Sequence, residues 1–198
     1  RFPAHLIFNA YMTWRLGVHL EARIGSLRML PLYLFLASGS MGLQLAFSAP
    51  AIGMSGVVYG FAGLIWVLEQ RDRRFAGILG PGMAQMLVVW FFVCIFMTAT
   101  KVMAVANVAH GAGALYGILL GHAVLGLREQ RLVYRVGLGL LVLLTMLGAT
   151  VAMPWTNFAS SRWAARLTND GAQQYEDSDY EAALDTFALV LRLDDEQG

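Results

Sequence analysis

The sequence predicts an all-α fold, a polytopic transmembrane helical bundle (six spans) followed by a short soluble helical hairpin. Three observations predict it. Hydrophobic residues make up 58% of the 198-residue chain and charged residues only 14%, where a soluble globular chain carries nearer a quarter. Apolar segments of spanning or near-spanning length follow one another from Phe2 to Trp155. The charges between them are confined to short loops, and most of the acidic residues lie beyond Trp155. An open sheet cannot satisfy its backbone in lipid, so the spans are read as helices.

The segments fall at 2–20, 30–48, 53–68, 83–100, 105–127 and 134–155. The third is short, and Pro50 supports a break in the turn before it rather than a continuous helix. Residues 1–155 are read as the membrane domain and 156–198 as a polar, extracytoplasmic tail. The near-neutral charge of +1 gives no sign of nucleic-acid binding. The one cysteine, Cys94, excludes an intrachain disulfide and a thiolate zinc cluster. The chain opens on Arg1, at the edge of a hydrophobic segment and without a signal peptide, and so reads as a fragment or a trimmed chain.

Basic residues orient the spans. Arg23 and Arg28 lie in the first loop, Arg71, Arg73 and Arg74 in the third, and Arg128, Arg131 and Arg135 in the fifth. The second loop has none and the fourth only Lys101. By the positive-inside rule the odd loops are cytoplasmic, so the start of the chain, the mouth of the third span and the tail face outward.

The third span opens Gly53-Met54-Ser55-Gly56-Val57-Val58-Tyr59-Gly60. Membrane serines usually sit mid-helix and bond back to a carbonyl, whereas Ser55 stands at the mouth, uncrowded between glycines. Tyr59 shares its face one turn deeper. The nucleophile elbow of soluble hydrolases does not fit, since its second glycine would fall on Val57. Close helix packing alone accounts for such small residues equally well. A base at the same depth would separate the two readings.

Depth supplies candidates. At about 1.5 Å per residue, Ser55 stands roughly 21 Å above Glu69, His110 roughly 27 Å above Arg128, and His5 roughly 24 Å above Glu21. Asn9 shares the face of His5 one turn on. These polar groups from three helices thus lie level, just below the outer surface. Gly56 and Gly60 make a small-residue face beside Ser55, and Gly113 and Gly117 make one beside His110, so the third and fifth spans are expected to pack backbone to backbone and bring Ser55 to His110. An intramembrane ionisable group is a functional candidate by default; His19 and His122, near the cytoplasmic ends, are read as structural. Two separated histidines without a carboxylate make a poor zinc shell, so no metal or other cofactor is called for. A serine with an adjacent imidazole is the equipment of nucleophilic acyl transfer. A small transporter finds no support, for no broken helix pair or inverted repeat is visible.

The residues Gly53-Met54-Ser55-Gly56-Val57-Val58-Tyr59, Ala109-His110-Gly111-Ala112-Gly113-Ala114-Leu115-Tyr116-Gly117 and His5-Leu6-Ile7-Phe8-Asn9, with Glu21, Arg23 and Gly25 after them, resemble the rhomboid family of intramembrane serine proteases over 1–127. The resemblance implies a Ser55 nucleophile, a His110 general base, an oxyanion hole of His5, Asn9 and the Ser55 N–H, and a Tyr59 packed on the imidazole. It implies single-span transmembrane protein substrates, a lipid surround, and a bacterial inner (plasma) membrane with the site opening outward. A further core helix and long loop would precede Arg1, and 134–155 would be an added span. The alternative is a catalytically silent rhomboid-like pseudoenzyme that binds membrane proteins; such relatives typically lack the serine or histidine. The tail, with Gly171, Tyr180, Ala183, Phe187, Leu191 and Leu193, resembles one tetratricopeptide repeat, although Asp195 stands where proline is frequent. One repeat cannot bury its apolar face alone, so a protein partner there is one reading and an incidental amphipathic hairpin the other.

Overall fold

The computed structural model describes residues 2–47, 53–103, 105–149 and 167–195. Among these the chain is all-helical: α1 (Phe2–Ile24), α2 (Ser26–Phe47), α3 (Ser55–Arg71), a short 3-10 turn (Arg73–Phe75), α4 (Gly80–Ala99), α5 (Asn107–Leu125), α6 (Arg131–Leu147), α7 at 167–176 and α8 (Tyr180–Asp195). The chain divides into two units, Arg1–Ala149 and Thr150–Gly198. The domain boundary read at 155/156 and the break read at Pro50 fall outside the described residues.

A helix stands at each of the six apolar segments. Three of them, α2, α4 and α5, are long and apolar enough to cross a membrane by length and composition. The other three differ for separate reasons. The helices α3 and α6 have 17 residues each, about 25 Å, a little short of a bilayer core. The 23 residues of α1 are ample in length but include Arg15, Glu21 and Arg23. Several helices also run past the apolar windows, because backbone hydrogen bonding continues after side chains turn polar: α1 goes on to Ile24, and α3 to Arg71.

In the first unit α3 is the central post. It is buried along nearly its whole length, from Gly56 through Leu68. Leu16 and Leu20 of α1, Leu36 and Leu43 of α2, and Ala112 and Tyr116 of α5 join it in one core. The α3–α5 seam is the tightest part. A Cβ on Gly113 would overlap the carbonyl oxygen of Gly56, and one on Gly117 that of Gly60, while one on Gly63 would lie 2.5 Å from the carbonyl oxygen of Ala114. Backbone therefore touches backbone over two turns. Further close approaches bring Gly39 of α2 against the Tyr116 ring and Gly42 against Thr145 of α6. The Tyr116 hydroxyl and Thr145 Oγ1 are 2.6 Å apart, joining α5 to α6. By contrast α4 buries only Leu87 and Cys94.

In the second unit α7 and α8 meet through Phe187, whose ring lies where a Cβ on Gly171 would need to be. The Thr186 hydroxyl donates to Gln174 Oε1 at 2.8 Å, and Ala183 is buried. Leu184 and Leu191 remain exposed.

Candidate active site

The site forms where α3 and α5 both begin. Ser55 is the first residue of α3, and His110 lies in the first turn of α5. Their starting level is common because the glycine seam locks the helices in register: Gly56, the residue after Ser55, is held against Gly113, about one turn past His110. In consequence His110 Nε2 lies 2.7 Å from Ser55 Oγ, a hydrogen bond. Ser55 is half-buried and His110 buried.

The imidazole is held from the side. Tyr59 stacks on it with centroids 4.8 Å apart and planes 29° from parallel, and Phe91 of α4 approaches at 6.5 Å. Tyr59 is itself fixed at the far end, where its hydroxyl donates to the Leu87 carbonyl at 2.8 Å. The helix start preceding His110 is also tied, for the Ala109 N–H donates to Gln44 Oε1 of α2 at 3.0 Å. Gln44 is buried, as is Ser40, whose Oγ sits 2.5 Å from where a Cβ on Gly56 would be.

Before the serine, Gly53 has φ +156°, a backbone region that favours glycine. Met54 follows, its sulfur accepting a hydrogen bond from the Tyr33 hydroxyl at 3.0 Å. Ser55 then stands at a helix N-terminus, where first-turn N–H groups have no intrahelical acceptor and the helix dipole favours negative charge. Asn9 is buried in α1. His5 belongs to α1, and its side chain is outside the described residues. Gly60 and Gly117 meet deeper in the seam.

Sequence reading had passed over Gln44, Tyr33 and Phe91. Gln44 left a usable signal, since a glutamine inside an apolar span needs a buried partner. The other two resemble ordinary lipid-facing or core aromatics and left none.

The rhomboid domain model matches residues 3–127. Rhomboid protease GlpG from two strains of Klebsiella pneumoniae is 35% identical over 117 residues, 59% of this chain and 42% of the relative. The chain thus spans less than half the length of these relatives. The family match takes in α1 to α5 and every residue of the candidate site, and the chain belongs to the rhomboid family of integral membrane proteins.

Proposed function

We propose that the protein is an intramembrane serine endopeptidase that hydrolyses peptide bonds of single-span transmembrane proteins near the outer membrane face. The observation that carries this reading is the 2.7 Å approach of His110 Nε2 to Ser55 Oγ. In the proposed reaction Nε2 takes the hydroxyl proton as Oγ attacks the scissile carbonyl. The carbonyl oxygen becomes an oxyanion, met by the Ser55 N–H, Asn9 and His5, donors worth about 3 kcal/mol each in favourable cases. His110 returns the proton to the leaving amine, and water then hydrolyses the acyl-enzyme by the same steps in reverse. Tyr59 keeps the imidazole in the plane that serves both transfers. The substrate helix must unwind to present its backbone, which favours substrates with helix-breaking residues.

The arginine-rich odd loops support an orientation with Ser55 toward the outside and the tail on that side too, and the likeness to a Klebsiella pneumoniae protein supports a bacterial plasma membrane. The exposed Leu184 and Leu191 support a protein-docking role for the tail hairpin. The test uses the full-length protein reconstituted with a single-span model substrate. Ser55→Ala and His110→Ala are each expected to abolish cleavage and labelling by a fluorophosphonate probe. Cleavage retained by Ser55→Ala overturns the proposal; strong labelling of His110→Ala removes the histidine from it.

A further inference from the structure

The start of α3 is fastened in an unusual way. Met54 stands in the N-cap position before Ser55, and among the described residues no side chain caps the helix there. One step earlier Gly53 has φ +156°, where a backbone without a Cβ moves most freely. Yet the peptide unit between Met54 and Ser55 carries the Ser55 N–H, the donor that the peptidase reading gives to the oxyanion. A peptide unit is planar and trans, so its N–H points opposite to its C=O. The Met54 carbonyl accepts from the Val58 N–H at 3.1 Å and so points along α3, which aims the Ser55 N–H out of the helix end.

What steadies Met54 comes from another helix. The Tyr33 hydroxyl of α2 donates to the Met54 sulfur at 3.0 Å. Tyr33 shares a face with Ser40, seven residues or about 10 Å further along α2, and Ser40 Oγ sits where a Cβ on Gly56 would be. That face of α2 therefore lies against α3. The Tyr33 ring is held as well, tilted on the fully buried Phe61 with centroids 6.3 Å apart. Tyr33 thus touches α3 inside the helix and again just before its first residue. A thioether is a weak acceptor, so the bond adds little to stability. What it fixes is where the Met54 side chain lies.

We propose that Tyr33 is a positioning residue: through the Met54 sulfur it holds the Met54–Ser55 peptide unit with its N–H toward the place where the oxyanion forms. The proposal rests on the peptidase reading, and Tyr33 acts through Met54 rather than on the substrate. A looser turn would sample orientations in which the N–H misses the oxyanion, weakening the transition state and leaving substrate binding alone.

The experiment compares Tyr33→Phe, Met54→Leu and the double variant with wild type, in the full-length protein reconstituted with the single-span model substrate. Tyr33→Phe deletes the donor, and Met54→Leu deletes the acceptor at nearly constant volume. Each should lower kcat about fivefold with KM unchanged, and the double variant should be no slower than either. Hydrogen exchange at the Val58 amide should quicken in Tyr33→Phe, because its acceptor is the Met54 carbonyl. Wild-type kcat in Tyr33→Phe, losses that multiply in the double variant, or a rise in KM alone overturns the proposal. Unchanged exchange at Val58 overturns it too, whatever the turnover. Ser55→Ala in the same assay keeps the two readings apart. Cleavage by that variant removes the peptidase reading and this proposal with it, whereas a silent Ser55→Ala beside an unaffected Tyr33→Phe removes this proposal alone.

Discussion

The α3–α5 seam and helix α4 are opposite solutions to being a helix in a membrane. Along the seam, glycines remove side chains so that the peptide units themselves meet, and Val57, Val58, Phe61 and Tyr116 fill the space around them. Along α4, large residues point outward: Val88, Val89, Phe92, Ile95 and Phe96 are exposed, and lipid is their expected neighbour. Apolar side chains gain little by leaving lipid for a protein interior, so tight contact in a bilayer depends on packing and hydrogen bonds rather than on hydrophobicity. The candidate dyad sits on the seam, and α4 reaches it through Phe91 and, by way of Tyr59, the Leu87 carbonyl. A site that needs its reacting atoms held within about half an ångström belongs on the part of the fold that cannot slide.

The contrast can be broken most sharply at Gly113. A methyl there overlaps a backbone carbonyl that no rotamer change can move aside. Gly113→Ala should therefore force α3 and α5 apart, destabilising the first unit by about 3 kcal/mol and removing cleavage together with it. Unfolding in detergent micelles checks the first effect and turnover of a model substrate the second. A Gly113→Ala protein with wild-type stability would show that the seam yields more easily than its geometry implies.

Gln44 gives a smaller effect that separates stability from geometry. Gln44→Leu keeps the volume but leaves the buried Ala109 N–H without this acceptor, at a cost of about 1–3 kcal/mol. Because that amide adjoins His110, turnover should fall more than the stability loss alone explains, and substrate binding should change little. Measuring kcat and KM apart on folded protein checks it.

Tyr59→Phe comes next. It preserves the stack on His110 and deletes only the bond to the Leu87 carbonyl, a polar tie from α3 to the middle of α4. A stability loss of about 1 kcal/mol is expected. Amide exchange should then quicken in α4 and stay unchanged along the seam, since α4 has little else to hold it.

The two regions also differ in how legible they were. Hydropathy found all six helices, because lipid exposure and burial both demand apolar residues. It could not tell α4 from α3 for the same reason: a valine facing lipid and a valine facing Tyr59 read alike. The four-residue spacing of Gly56 and Gly60, and of Gly113 and Gly117, marks a face on each helix, but which carbonyl each glycine meets depends on height and rotation, which composition does not encode. Counting residues from the basic loops puts Ser55 and His110 at similar heights, and their side chains lie 2.7 Å apart. Gln44 escaped because its partner is a backbone amide far along the chain, and backbone leaves no mark in a sequence.

The smallest effect is a reversal of sign. Gly139 on α6 is as much a helix-interior glycine as Gly113, yet a Cβ there would meet nothing within 4 Å. A glycine that approaches no neighbour still carries its conformational penalty, roughly 0.5–1 kcal/mol relative to alanine in a helix interior. Gly139→Ala should stabilise the first unit by up to that amount, with turnover unchanged, while the same substitution at Gly113 costs several times more. Unfolding both variants under one set of conditions isolates close approach from helix propensity, because the chemical change is identical and only the neighbour differs. If Gly139→Ala destabilises the protein, then α6 has a partner face of its own, and the division between packed and lipid-facing helices must be drawn differently.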